Sequence, residues 1–138
     1  MGTRDGSNWI VIGDLTVCYF TAGPVAYVVW SKLCARIAKP ETRKVLLASI
    51  GAMDLDGTQR HELSDALSVA PMTKLAVVTD EAIVRGIMTA TRWRQRVELK
   101  LFTWHKLPEV HSYLRPSAID AQDLPELVES VRRRVEAQ

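Results

Sequence analysis

Apolar positions along this chain follow two different spacings, and the changes between them predict the order of its elements. Residues 9–12 and 15–20 are apolar and β-branched with a Gly-Asp pair between them, which predicts two strands joined by a tight turn. Apolar residues then recur every three or four positions, which predicts a first helix over residues 24–38. Two nearly continuous apolar runs, residues 44–50 and 74–79, are typical of strands that are covered on both faces.

Helical segments separate these runs and lead to one more strand. A second helix is expected to begin near Thr58 and a third to run from residue 80 to about 95, before residues 97–102 alternate as a strand. Strand-loop-helix units in succession indicate a parallel arrangement with helices packed on the sheet. The sequence therefore predicts an α/β fold with a mixed, mainly parallel sheet of about five strands flanked by helices.

The last part of the chain is predicted to be helical. Residues 107–114 form a short helix opened by Pro108, residues 117–123 are a polar connector, and an extra C-terminal amphipathic helix covers residues 124–135. An apolar stripe of this kind must lie on another surface. That surface is either the chain's own domain or a second copy, in which case the C-terminal helix forms a homodimer.

The composition indicates one ordinary globular domain. The chain has 138 residues, a formal net charge of +2, 47% hydrophobic residues and 25% charged ones, which is enough apolar material for a core. We expect a single domain over residues 1–138, with a core at about 9–115 and the C-terminal helix at about 124–137. No apolar run reaches the roughly 20 residues that span a bilayer, and the N-terminus lacks the apolar stretch of a secretory signal. A cytoplasmic protein without a membrane span is therefore expected.

Recognisable catalytic or cofactor-binding motifs are missing from the sequence. It contains no phosphate-binding glycine loop, no zinc-protease or serine-hydrolase motif and no cysteine-histidine framework. Cys18 and Cys34 are expected to be buried free thiols, and His61, His105 and His111 fall in separate elements. We therefore expect no catalytic residue, no cofactor and no metal, and a protein that is not an enzyme.

Basic residues are concentrated between positions 85 and 115, a segment that contains seven lysines and arginines but only two glutamates. At helical spacing Arg85, Arg92 and Arg96 fall on one face of the third helix. This face is a solvated basic surface on one interpretation and a docking surface for an anion or an acidic partner on the other. Nucleic acid is not expected, because the whole chain is only +2. Two further sets belong to this hypothesis: Trp93 and Trp104 as aromatic anchors, and Ile83, Ile87, Ala90 and Thr91 on the opposite face against the sheet, where Gly86 allows close approach.

The segment from Asp54 to Thr58 is the second candidate site, because it follows a buried strand and precedes a helix. Ligand sites gather at such junctions in open α/β sheets. The carboxylates of Asp54 and Asp56 bind a metal ion on one interpretation, and cap the helix and turn the chain on the other, which the sequence favours. Residues 54–65 contain four acidic residues and one arginine. The even overall charge therefore conceals an acidic and a basic region.

Residues 74–93, KLAVVTDEAIVRGIMTATRW, contain a string that many bacterial SpoIIAA-like sequences carry in the form AVVTD…VRG…TA…W. Together with the strand at 97–102 and the short helix at 107–114, this string resembles the SpoIIAA-like branch of the STAS superfamily, the fold of anti-sigma-factor antagonists. The resemblance covers roughly residues 9–115. It implies a SpoIIAA-like α/β fold and a regulator that docks to a kinase-like or anti-sigma-like protein.

The switch motif of this superfamily is altered in the present chain. In antagonist-type STAS domains a motif similar to Asp-Ser-Ser-Gly lies between a strand and the next helix and carries the residue that is phosphorylated. By position the motif falls on Asp54, Leu55, Asp56 and Gly57, so this chain keeps the first aspartate and the glycine and lacks both hydroxyls. A kinase cannot switch the carboxylate of Asp56. The neighbouring Thr58 is the candidate for phosphorylation here.

These observations predict a non-enzymatic cytoplasmic regulator that binds another protein. The alternative that the resemblance also implies is a carrier of a small apolar ligand or lipid, since SpoIIAA-like proteins are similar in fold to SEC14-type domains. A carrier would need a pocket of roughly a few hundred Å³ lined by Trp30, Met53, Met72 or Met88. The predicted partner-binding residues of the regulator are Asp54, Asp56, Gly57, Thr58, Arg85, Arg92 and Arg96.

Overall fold

The chain is built around a five-stranded sheet in a computed structural model, which describes residues 8–69, 73–95 and 98–138 and the side chains of these residues apart from 90–95. A 3₁₀ helix (Trp104–Glu109) follows the last strand. The strands are β1 (Trp9–Ile12), β2 (Leu15–Phe20), β3 (Gly23–Pro24), β4 (Lys44–Ser49), β5 (Met53–Asp54), β6 (Lys74–Val78) and β7 (Glu98–Phe102), and the helices are α1 (Tyr27–Ile37), α2 (Gly57–Val69), α3 (Ala82–Gln95), α4 (Val110–Leu114) and α5 (Leu124–Glu136).

The order of strands in the sheet follows the order along the chain. The sheet runs β1-β2-β4-β6-β7, with β1 antiparallel to β2 and every other pair parallel. Lys44 pairs with Lys74, and Lys74 pairs with Glu98, so these three strands start level with one another. Each parallel pair is joined by one helix, which is the usual crossover connection. The predicted mixed, mainly parallel sheet of an α/β fold is confirmed.

Apolar residues on both faces of the sheet are covered by helices. Against one face α1, α2 and α3 pack through side chains such as Trp30, Leu67 and Met88, which are at most 1% exposed. Against the other face pack the 3₁₀ helix, α4 and α5, through side chains that include Val110 and Val128. Every residue of β2 is buried, which explains why this strand is almost continuously apolar. In the part of the chain that the structure describes, no helix is long and apolar enough to cross a bilayer.

The first helix begins three residues later than its sequence predicts. Residue Pro24, expected in the first helical turn, lies instead in β3, which pairs with β5 through Gly23↔Met53 and Pro24↔Asp54. Proline is tolerated in such a short ladder because its missing N–H is not required there. The backbone of Ala26 is extended, with ψ of 133°, and α1 starts at the next residue. The expectation of a helix from residue 24 is therefore wrong at its start.

The face of α3 that meets the sheet also differs from the expected one. Residue Ile83 is 67% exposed, while Val84 and Met88 are buried at 1% and 0%. This pair is spaced i, i+4, so it lies on one side of the helix. The expected face is thus rotated by one residue, and the prediction for Ile83 is wrong. Gly86 is exposed, and no atom lies within 4 Å of the place where its Cβ would be, so it allows no close approach.

The C-terminal helix packs on the chain's own sheet. Residues Leu124, Val128 and Val131 of α5 are at most 2% exposed and belong to the core. The hydroxyl of Tyr19 in β2 donates to Glu136 Oε2 at 2.7 Å, and the guanidinium of Arg134 donates to the backbone of β1. The first of the two interpretations of this helix is the one that the structure supports. A homodimer through α5 stays a prediction. Such a dimer would form through the polar face of the helix, because the apolar face is already buried.

Both cysteines are free thiols in the core. Cys18 is 0% and Cys34 3% exposed. Burial and the nearby Glu62 carboxylate raise the pKa of the Cys34 thiol to about 12, and burial raises the pKa of Cys18 further. The thiolate is the reactive form of cysteine. The sequence prediction of two buried free thiols is confirmed.

Residue Asp14 ties the β1–β2 turn to the connector before α5. Its Oδ1 accepts hydrogen bonds from the backbone N–H and the hydroxyl of Ser117, both at 3.1 Å, and its Oδ2 lies 3.1 Å from Lys44 Nζ. Partial burial alone would raise the pKa of Asp14. The hydrogen bonds from Ser117 and Lys44 outweigh it and lower the pKa below the ordinary value of 3.8.

The Asp14→Asn variant is expected to lose about 1 kcal/mol of unfolding free energy at neutral pH. A carboxyl whose pKa is lowered by folding contributes stability above its unfolded pKa, and this contribution disappears as the pH falls through its folded pKa. Urea unfolding at neutral pH and at a pH well below 3.8, beneath the lowered pKa of the folded state, measures both conditions. The exposed Asp120→Asn is the control and should match the wild type at both. A deficit of Asp14→Asn that is just as large in acid would contradict the assignment.

Candidate functional site

The candidate segment 54–58 lies at the edge of the sheet where the parallel strands end. Asp54 closes β5, and Gly57 and Thr58 already belong to the first turn of α2, so only Leu55 and Asp56 connect the two elements. Leu55 is 3% exposed and anchors the segment in the core. All four of the other residues are exposed, as a partner-binding segment requires.

A pair of reciprocal hydrogen bonds fixes the start of α2. Asp56 Oδ1 accepts from the backbone N–H of Gln59 at 2.8 Å, and Gln59 Oε1 accepts from the backbone N–H of Asp56 at 3.0 Å. This is a capping box, which satisfies N–H groups that have no partner inside the helix. The interpretation of Asp56 as a helix cap is therefore confirmed. The helix starts at Gly57, close to the predicted start at Thr58.

Gln59 also links α2 to α1, and the sequence prediction missed this residue. Gln59 is 2% exposed, and its side-chain Nε2 donates to the carbonyl of Val25 at 2.7 Å. The backbone carbonyl of Gln59 accepts from Trp30 Nε1 at 2.8 Å. Gln59 thus uses its side-chain amide on both sides and holds the two helix starts together. The Asp-x-x-Gln spacing before an apolar run is the sequence signal that could have identified it.

Exposed apolar side chains flank the segment on the α1 side. Tyr27 is 55% exposed and Val28 66% exposed, and both lie in the first turn of α1. The hydroxyl of Tyr27 donates to Asp56 Oδ2. Asp56 is therefore held from two directions, by Gln59 and by Tyr27. We call this set of exposed residues, Tyr27, Val28, Asp54, Asp56 and Thr58, the docking edge.

The geometry gives a metal ion little support at this segment. The carboxylate of Asp56 already accepts hydrogen bonds on both oxygens. Within the described residues, no group of three or more His, Cys, Asp and Glu side chains is placed to hold a metal. His105 Nδ1 lies 3.0 Å from the Thr103 hydroxyl and His111 Nε2 lies 2.8 Å from the carbonyl of Ile119, so both rings make local contacts.

Of the three predicted arginines, the structure describes the side chain of Arg85 alone. Arg85 lies in the first turn of α3 and is half-buried, with Nη1 3.5 Å from the carbonyl of Thr79 at the end of β6. Helices that follow parallel strands start at the same edge of the sheet, so Arg85 is at the same edge as residues 54–58. Arg92 is two turns further on, roughly 10 Å along the helix axis. The side chain of Arg92 and the whole of Arg96 lie outside the described residues.

A second feature at this edge surrounds Trp104. The indole N–H donates to the carbonyl of Ser49 at 2.7 Å, the backbone N–H donates to Asp80 Oδ1 at 3.0 Å, and the Arg132 guanidinium stands 5.8 Å from the ring centroid. This half-buried ring is thus tied to its own sheet, whereas the Trp93 side chain lies outside the described residues. An open cleft of about 280 Å³ here is lined by Ser49, Ile50, Gly51, Asp80, Glu81, Trp104 and Arg132.

Comparison of the chain with protein-family models, with curated proteins and with solved structures finds no match in any of the three. The structure defines an α/β protein with helices on both faces of a mixed sheet. The resemblance to the SpoIIAA-like branch of the STAS superfamily therefore rests on the string at 74–93 and on the order of elements alone.

Proposed function

We propose that this protein is a non-enzymatic cytoplasmic regulator that binds another protein through the docking edge. The observation that carries the proposal is the exposure of Tyr27 and Val28, at 55% and 66%, next to the fixed carboxylate of Asp56. Tyrosine is enriched at the energetic centres of protein interfaces, because its ring supplies apolar area and its hydroxyl a hydrogen bond. A partner that covers this edge would bury both kinds of surface.

The local rigidity of the docking edge favours binding. Gln59 fixes the first turn of α2 and reaches the carbonyl of Val25 before α1, so the segment is already ordered. A preordered surface loses less conformational entropy when a partner binds. Residues 54–65 carry four acidic side chains and one arginine, which favours a partner with a basic surface.

Thr58 is part of the proposal as the residue that is modified. Its side chain is exposed at the start of α2 and forms no hydrogen bond with the described residues. A phosphate on Thr58 would carry roughly −1.5 to −2 charges and compete with Asp56 for the N–H groups at the start of the helix. Modification would then rearrange the docking edge. By resemblance to antagonist-type STAS domains, the proposed partner is a kinase-like or anti-sigma-like protein.

The alternative, a carrier of an apolar ligand, is not favoured by a specific observation. Trp30, Met53 and Met88 are at most 2% exposed and pack in the core, and Met72 lies outside the described residues. None of these residues lines the cleft beside Trp104. The carrier stays a second prediction, and an apolar molecule that remains bound in native mass spectrometry would support it over the regulator.

The proposal predicts that changes at the docking edge weaken partner binding without unfolding the protein. A partner captured from native cells by the wild-type chain is purified, and its affinity is measured for Tyr27→Ala and Val28→Ser. Tyr27→Ala is expected to bind about tenfold more weakly or worse, since truncation of a tyrosine at an interface centre costs about 2 kcal/mol or more. Val28→Ser is expected to bind about fivefold more weakly, which corresponds to about 1 kcal/mol. Asp56→Asn and Thr58→Glu test the polar residues of the same edge.

The chain offers a closely matched control in Val69. It is 67% exposed, as Val28 is 66% exposed, and it lies at the opposite end of its helix from residues 57 and 58. Val69→Ser should therefore bind the partner as the wild type does. Equal losses for Val28→Ser and Val69→Ser, or wild-type affinity for Tyr27→Ala and Val28→Ser together, would refute docking through this edge.

A further inference from the structure

A second, basic surface lies where β6 and β7 meet α4, and the proposed function does not use it. Lys74 begins β6, Lys100 lies in β7, and Arg115 directly follows α4. Together they border an open cleft of about 510 Å³, a size that suits a small molecule. We call it the basic cleft, and its lining residues are Lys74, Lys100, Glu109, Ser112, Tyr113 and Arg115.

The charges around this cleft leave a surplus of cations. Lys100 and Arg115 form no ion pair with the described residues. Glu109 lies 3.3 Å from Lys106, outside the lining, and Lys74 lies 3.5 Å from Glu98. Glu109 is thus engaged with a lysine outside the cleft, and Glu98 with one of the lining lysines, Lys74. Two positive charges remain for a ligand.

The two lysines are positioned by one aromatic ring. Lys74 Nζ lies 5.6 Å and Lys100 Nζ 5.9 Å from the centroid of the Tyr113 ring, and Lys100 Nζ also lies 5.3 Å from the Phe102 ring. Lys74 Nζ donates in addition to the carbonyl of Tyr113 at 3.4 Å. The cation–π contacts restrain both side chains, and the hydrogen bond restrains that of Lys74 further. The ammonium groups are therefore presented to the cleft in a limited set of positions.

Arg115 occupies a position where the backbone favours glycine. Its φ is +50°, the only positive value among the non-glycine residues that the structure describes, and it caps the C-terminus of α4. Glycine is the usual residue at such a left-handed cap. The backbone contacts, from the Arg115 N–H to the His111 carbonyl and from Lys44 Nζ to the Arg115 carbonyl, do not need a side chain. What arginine adds here is its exposed guanidinium.

We propose that the basic cleft binds a small phosphate monoester as its dianion. Lys74, Lys100 and Arg115 reach the cleft from three different elements, and the exposed Ser112 supplies a hydroxyl donor. A phosphate group offers three oxygens that point in different directions, whereas one carboxylate offers two in a plane. Ammonium and guanidinium groups form charge-assisted hydrogen bonds with phosphate oxygens. This activity is separate from partner binding at the docking edge.

The test is a titration of the full chain with inorganic phosphate at constant ionic strength, followed by NMR of the lysine side chains and of the Ser112 and Arg115 amides. Binding should be saturable in the wild type. Lys100→Gln and Arg115→Gly should each weaken it about tenfold or more, because each removes a charged hydrogen-bond donor. Arg115→Gly should melt at the wild-type temperature or above it, since glycine suits the cap.

Lys39→Gln is the matched control for charge, because Lys39 is exposed, forms no ion pair with the described residues and lies after α1. It should leave phosphate binding unchanged. Four results would overturn the proposal: no saturable shift in the wild type, unchanged binding by Arg115→Gly, an equal loss in Lys39→Gln, or succinate binding as tightly as phosphate. Lys100→Gln and Arg115→Gly should lose phosphate binding and keep the wild-type affinity for the partner. The proposed function is tested separately, by the variants of the docking edge.

Discussion

Replacing Gln59 by methionine is expected to lower the free energy of unfolding by about 2–4 kcal/mol. Methionine has a similar length and is apolar, so it fills the site without making either side-chain hydrogen bond. The carbonyl of Val25 and the backbone N–H of Asp56 then lose their partners at 2.7 and 3.0 Å. A buried polar group left unpaired by a mutation costs about 1–3 kcal/mol, which applies to the Val25 carbonyl, and the partly buried N–H of Asp56 adds a smaller loss. The bond from Trp30 to the Gln59 carbonyl is expected to persist, because it uses the backbone.

Urea unfolding measures this loss, and native-state hydrogen exchange locates it. The amides in the first turn of α2 should exchange faster in Gln59→Met than in the wild type, because local opening no longer breaks the capping box. Arg60→Met is the control at the next position, where the side chain is exposed. It should change the unfolding free energy by less than about 0.5 kcal/mol. Similar values for the two variants would show that Gln59 does not hold the helix starts together.

The strands were the part of the fold that local sequence patterns could predict best. The structure has β1 and β2 at the predicted residues and β4 and β6 within one residue of the predicted ends. Their apolar runs are short and flanked by turn residues, which distinguishes buried strands from helices, and the turn between β1 and β2 places Gly13 at φ +59°. These signals depend on neighbouring residues only. A pattern of this kind is visible in the sequence itself.

The start of α1 could not be predicted in the same way. Whether residues 23 and 24 join a helix or a strand depends on β5, which lies about thirty residues further along the chain. The face of α3 that packs on the sheet was equally hard to predict, since Ile83 and Val84 are both apolar. Only the position of the helix against the sheet decides that Val84 is buried at 1% and Ile83 exposed at 67%.

The sequence predicted the exposed residues of the candidate site and missed the side chains that hold them in place. Polar residues between a strand and a helix indicate an exposed turn, so Asp54, Asp56 and Thr58 could be predicted as exposed. The contribution of Tyr27 depends on a contact between two helices, which no local spacing reveals. The count of basic residues between positions 85 and 115 does not show how they are arranged in space. The fold places Arg85 at the ends of the parallel strands and Arg115 beside the start of β6, at opposite ends of the sheet.

Replacing Val128 by aspartate is expected to have the other large effect, because α5 covers one face of the sheet. Val128 is 0% exposed and belongs to the same apolar cluster as Leu46 and Ala48 of β4. A carboxylate at this position would have to be buried without a partner or keep α5 away from the sheet. Either outcome is expected to cost about 4 kcal/mol or more, in the range of the most damaging single substitutions.

Val69→Asp makes the same substitution at an exposed valine on α2 and should cost less than about 1 kcal/mol. Urea unfolding gives the free energies of both variants, and size-exclusion chromatography gives their oligomeric states. Val128→Asp should unfold at much lower urea because the sheet loses its cover. If α5 instead served a second copy of the chain, Val128→Asp would change the oligomeric state and leave the unfolding free energy of the monomer close to that of Val69→Asp. The large loss is expected because the apolar stripe of α5 already lies on β2 and the 3₁₀ helix of its own chain.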